Sequence, residues 1–151
     1  MGTTTATVSQ LIRCSPKEAF DAFVDPAKIS RFWLGSASAP LVAQGSATWR
    51  FMVPGVEDTV TADELQSPRL IALTWSDGTK LRLTFVDHAG GGTRVSAEFS
   101  LSTRGRIDEL VNTVEGYSIV LCDLKTFLES GQSAGLVRAK AELIAGGRAS
   151  S

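Results

Sequence analysis

The sequence predicts an α+β domain in which a short antiparallel sheet packs around one long C-terminal helix. Three features carry that expectation. Between Gly45 and Leu101 apolar and polar residues alternate with period two, interrupted by turn signals. From Leu110 to Leu128 the apolar period lengthens to that of a helix. Thr3 to Arg13, rich in Thr and Val, reads as a strand ahead of both.

Each element has a local reason. After the first strand, Ser15 is a natural N-cap, Pro16 suits a first helical position and Glu18 closes a capping box. Ala19, Phe20 and Phe23 then form the apolar face of a short helix. Asp25-Pro26 restarts the pattern, and a second short helix carries Ile29, Phe32 and Trp33. Gly35 to Pro40 is small and polar and reads as a loop. Ala47, Trp49, Phe51 and Val53 alternate until Pro54-Gly55 turns the chain. Val56 to Leu65 and Leu70 to Trp75 follow as strands on either side of Ser67-Pro68-Arg69. Asp77-Gly78 is a strong hairpin signal. Leu81, Leu83 and Phe85, then Val95, Ala97, Phe99 and Leu101, give the last two strands, joined through Gly90-Gly91-Gly92. The result is a meander with one apolar face.

The long helix is the clearest element. Leu110, Val114, Tyr117, Leu121, Leu124 and Leu128 recur at alternating steps of four and three, and Gly131 stops the helix. Alone it would be marginal, so it needs the greasy face of the sheet as partner. Residues 132–151 are weakly patterned; Leu136, Leu143 and Ile144 suit a short helix, and the end reads as a frayed tail.

Composition narrows the function. At 151 residues, 43% hydrophobic and 21% charged, the chain is ordinary globular protein of one domain. A net charge of -1 gives no electrostatic reason to expect nucleic acid or an anionic membrane as partner. No apolar run is long enough to span a bilayer, and Met1 to Ser9 lacks a secretory pattern. A soluble, cytoplasmic protein is expected. Two distant cysteines, Cys14 and Cys122, and one histidine, His88, fall short of a zinc ligand set. No metal or other cofactor is implied.

The order of elements, with Cys14-Ser-Pro-Lys-Glu-Ala-Phe20, Phe23, Asp25-Pro26, Ile29 and Phe32-Trp33, resembles the opening of START-related domains. The likeness is greatest to the branch of activator-of-heat-shock-chaperone-ATPase homologues in the SRPBCC superfamily. Pro68-Arg-Leu-Ile71 leading to Thr74-Trp75, the Gly91-Gly92-Thr93 hairpin and Glu115-Gly116-Tyr117 resemble later marks of that family. Asn112-Thr113 stands where the family often has a His, and Tyr117 takes its aromatic position. The resemblance covers about residues 6–130. It implies a helix-grip fold like that of the birch-pollen allergen: a curved antiparallel sheet gripping the last helix, with a cavity between them. Residues 1–131 would form this domain and 132–151 an extension.

Within such a cavity, Trp33, Trp49, Trp75, Phe85 and Leu121 are the candidate apolar lining, although each also suits plain core. Tyr117 and Arg50 are candidate polar anchors, with Gln10 a weaker one. The Tyr117 hydroxyl would bond either a ligand or a backbone carbonyl. Gly116, unfavourable in mid-helix, either admits a close approach or is a tolerated surface glycine. His88 beside the glycine run reads as an exposed loop residue, and the acidic residues, Asp123 among them, mostly as solvated faces. No catalytic constellation emerges. The expected function is binding of a small hydrophobic or amphipathic molecule. Two alternatives stand: a START-like cyclase, dehydratase or lyase, and a chaperone-ATPase accessory or stress-response interaction module. Homodimerisation is compatible with the fold.

Overall fold

The computed structural model describes residues 4–101 and 107–149. Strand β1 (Thr4–Ile12) leads into helix α1 (Pro16–Val24). The predicted capping box is present, with the Ser15 hydroxyl accepting from Glu18 N and the Glu18 carboxylate accepting from Ser15 N. Helix α2 (Pro26–Phe32) starts on the Asp25 carboxylate, which accepts from Ala27 N at 2.9 Å. The meander follows as β3 (Ser46–Phe51), β4 (Glu57–Gln66), β5 (Leu70–Trp75), β6 (Lys80–Asp87) and β7 (Thr93–Leu101). One strand lies where a loop was expected. Leu34–Ala37 forms β2, pairing with β3. Its residues are poor strand formers, and the unsatisfied edge of β3 supplies the partner that local propensity does not.

All neighbouring strands are antiparallel, in the order β1-β7-β6-β5-β4-β3-β2. Five of these pairings join consecutive strands. The exception is β1 on β7, from Thr4↔Leu101 to Ile12↔Thr93. Gly92 lets the β6–β7 turn meet the end of β1, because a Cβ there would lie 2.8 Å from the Ile12 carbonyl oxygen. Irregularities at Leu34/Ser36 and Ala62/Glu64 bend the sheet.

Helix α3 (Ile107–Ser130) lies in the concave face, packed chiefly on β1 and also touching β7, α2 and α4. Val120, Leu121 and Leu124 are buried on it. Together with Phe23, Phe32, Trp49, Leu73, Leu83, Phe85 and Phe99 they belong to one continuous core. Each such large side chain contributes roughly 1.5–3 kcal/mol on burial. Gly131, at φ +83°, ends α3 as expected and returns its N–H to the Phe127 carbonyl.

The short helix expected after Gly131 is present and runs on to Ala149, into the end that reads as a frayed tail, of which residues 150–151 lie outside the described residues. Helix α4 (Leu136–Ala149) folds back along α3. Its packed face carries Val137 and Ala141, whereas Leu136 and Leu143 are exposed. Asp123 explains its start. This residue, expected on a solvated face, is fully buried. Its carboxylate accepts from Ser133 Oγ at 2.7 Å, Thr126 Oγ1 at 2.8 Å and Val137 N at 3.1 Å. A side chain from α3 thus does for α4 what an N-cap residue ordinarily does from the helix's own sequence.

Candidate functional site

The two helices and the sheet leave a space of about 500 Å³ that the side chains do not fill. It lies between the β3–β7 half of the sheet and the facing sides of α3 and α4. Its volume is typical of a small-molecule site.

The wall is mainly aromatic. Trp33 ends α2 and points into the bowl, where its ring lies 5.2 Å from Trp49, 6.4 Å from Trp75 and 6.2 Å from Tyr117. Tyr117 stacks on Phe99 at 4.6 Å. Phe51 lies 6.0 Å from Trp75. Alternation explains why these rings converge. Trp49 and Phe51 of β3, Trp75 of β5 and Phe99 of β7 occupy the concave face, and Tyr117 descends from α3 opposite them. Met52, Val53 and Val56 of the β3–β4 turn extend the wall toward solvent.

The seven candidate residues fall into three groups. Trp33, Trp75 and Tyr117 line the space directly. Trp49, Phe85 and Leu121 are buried behind it. Trp49 supports Trp33 and Trp75, while Phe85 packs on Phe20 at 5.7 Å and Phe23 at 5.9 Å. Arg50 is turned away, its side chain 70% exposed and paired with Glu57 at 3.4 Å. The reason is period two: with Trp49 and Phe51 on the concave side, Arg50 must face out. Gln10 does face inward, but it meets Cys122 Sγ at 3.5 Å beneath α3, away from the cavity.

Of the two polar anchors expected from the sequence, Tyr117 is the one that lines the wall. Burial pushes its phenol well above its ordinary range, the polar N–H of Trp75 opposes this, and the charge of Asp77 adds to it. The phenol therefore keeps its proton at neutral pH and can donate a hydrogen bond into the cavity. Gly116 lines the cavity one residue earlier, and a Cβ there would meet nothing within 4 Å. The sheet makes no close approach at this glycine, which borders open space at the site.

Other parts of the site lay outside the sequence-derived candidates. Val137, Lys140, Ala141 and Ile144 make α4 one wall. Their spacing of three and four was legible, but which face of α4 turned inward was not. Asp58 and Asp77 border the cavity from β4 and the β5–β6 turn. The signal for Asp58 was present in the alternation Asp58, Val60, Ala62, which puts a carboxylate on an apolar face. His88 is exposed in the β6–β7 turn, distant in the fold from these residues. Among the described residues, no group of three or more His, Cys, Asp or Glu is arranged to hold a metal ion. Nor is any described helix long and apolar enough to cross a membrane.

A curved antiparallel sheet that grips a long C-terminal helix, with a cavity between them, defines a START-like, helix-grip protein. Residues 13–129 match the family described as activator of Hsp90 ATPase homolog 1-like protein, and the chain belongs to that family. A search of curated proteins finds no significant match. Among solved structures, a protein from Staphylococcus saprophyticus is 26% identical, with a TM-score of 0.78 over 86% of this chain and 95% of that one. DynU16, from the dynemicin biosynthetic locus, is 18% identical with a TM-score of 0.77. The alignment spans 85% of this chain but only 48% of DynU16. The Aha1 dimer from Colwellia psychrerythraea is 16% identical with a TM-score of 0.70, over 88% of this chain and all (100%) of that one. At such identities the last two are similar in fold.

Proposed function

We propose that this protein binds a small hydrophobic or amphipathic molecule in the cavity between sheet, α3 and α4. One observation carries the reading. About 500 Å³ lies open to solvent against Trp33, Phe51, Trp75 and Phe99, an aromatic-lined cleft of the size that small-molecule sites have. Ligand burial against these rings would supply most of the affinity, and the Tyr117 hydroxyl would fix orientation by donating to a polar atom. Trp49 contributes indirectly, by backing Trp33 and Trp75, while Phe85 and Leu121 belong to the core. A cytoplasmic site of action and a homodimer, the assembly named for the Colwellia relative, belong to the same reading as proposals.

The test is native mass spectrometry of the purified protein, with a thermal-shift screen of lipids, steroids and polycyclic aromatics. Ligand linkage raises Tm by an amount set by RT ln(1 + [L]/Kd), about 2.7 kcal/mol at a hundredfold excess over Kd. A shift that Gly116→Phe abolishes, by filling the open space beside the glycine, supports the cavity. A shift that survives Gly116→Phe unchanged places binding elsewhere and refutes the reading.

A further inference from the structure

We infer that the cavity selects cationic amphiphiles, molecules with an apolar or aromatic body and a protonated amine at the mouth. The inference rests on the cavity reading above and adds the sign of the ligand's charge.

Asp58 carries the argument. On β4 it shares the concave side with Val60 and Ala62, both fully buried, and it is itself half-buried at the edge of the cavity. A half-buried carboxylate beside apolar side chains keeps part of its hydration and attracts a cation placed at the cavity mouth. The only hydrogen bond it makes among the described residues is from the adjacent Thr59 N at 2.8 Å, and it pairs with no described lysine or arginine. Asp77 lines the same space from the β5–β6 turn. It accepts from Thr79 N at 2.9 Å and Thr79 Oγ1 at 2.7 Å, again with no described cation. Those bonds hold its carboxyl below the usual range, so it stays ionised.

The lysines at this site are committed elsewhere. Lys140 pairs with Glu115 at 2.7 Å. Lys80 donates to Thr74 Oγ1 at 2.7 Å and lies 3.8 Å from Asp63. Among the described residues, the uncompensated charge at the cavity is therefore negative. The rings beside it, Trp33, Phe51, Trp75 and Tyr117, present negative faces that also attract a cation. A carboxylate-bearing ligand would meet Asp58 and Asp77 without an available counter-charge. An amine would neutralise them while its body replaces water against the rings.

Three matched probes separate charge from apolar burial: naphthylmethylamine, naphthylmethanol and naphthoate. Their affinities are measured by calorimetry on the wild type and on Asp58→Asn, Asp77→Asn and the double variant. Both substitutions preserve side-chain shape, and asparagine suits the turn at 77. The expected order is amine about tenfold tighter than alcohol, and alcohol tighter than naphthoate, with the amine advantage worth about 1.4 kcal/mol. In the double variant the amine and alcohol should converge to within about twofold, while alcohol binding stays at its wild-type value. Alcohol binding with no amine preference, or an amine preference that survives the double variant, overturns the inference and leaves the cavity reading intact. Failure of all three probes to bind overturns both.

Discussion

Replacing Asp123 by alanine should loosen α4 before it unfolds the sheet. The carboxylate is fully buried and accepts three hydrogen bonds, from Thr126, Ser133 and Val137. Its removal affects the three donors unequally. Thr126 Oγ1 keeps an alternative acceptor in the Asp123 carbonyl at 2.8 Å, which alanine retains. The Ser133 hydroxyl and the Val137 N–H lose theirs. An orphaned buried polar group costs about 1–3 kcal/mol, and loss of a helix cap about 1 kcal/mol. Relief of the buried charge's desolvation offsets part of this. The expected net loss is about 3 kcal/mol, a fall in Tm of roughly 6–12 °C for a two-state domain of this size. Asp123→Asn keeps one acceptor oxygen and should cost about half as much. Thermal denaturation gives the magnitude, and amide hydrogen exchange gives the location. Protection should fall first at Val137 to Ala141, with β5 and β6 little changed. A Tm within about 1 °C of wild type, with unaltered exchange at Val137, would refute the capping role.

Gly116→Ala should stabilise the protein by about 0.5–1 kcal/mol, because it removes a mid-helix glycine and its Cβ meets nothing; a loss in Tm would show that the space beside α3 is closed. Cys14 should behave as a protected thiol, since burial first and the Glu18 carboxylate second push it from 9.0 to about 11. Its alkylation by iodoacetamide at about pH 8 should be roughly a hundredfold slower in the native protein than in urea, and equal rates would contradict that environment. The linkage has a definite sign. A thiol raised on folding adds stability that is complete below about pH 9 and lost as the pH climbs through about 11, so Cys14→Ala should flatten the alkaline fall in Tm.

Much of the fold was legible because it is locally encoded. The capping box at Ser15, the stop at Gly131, the turn at Asp77-Gly78 and the two hydrophobic periods each act within a few residues. Strand alternation also placed Trp49 and Phe51 together on the apolar face of the meander. The same rule, applied strictly, would have turned Arg50 outward and marked Asp58 as the unusual inward acid.

Other features were decided only when distant segments met. Leu34–Ala37 became a strand because β3 had a free edge, not because its own residues favour one. Residues 136–149, patterned as a short helix, gained the acceptor for their first turn only because Asp123 reaches it from another helix. Trp33, Trp75 and Tyr117 became cavity wall while Phe85 became core, although all four are aromatic residues on apolar faces. Sequence alone determined which faces are apolar and where elements begin and end, since those depend on residue type and spacing. The tertiary structure decided which apolar faces meet and which leave a gap, since a void depends on how the curved sheet and both helices fit together.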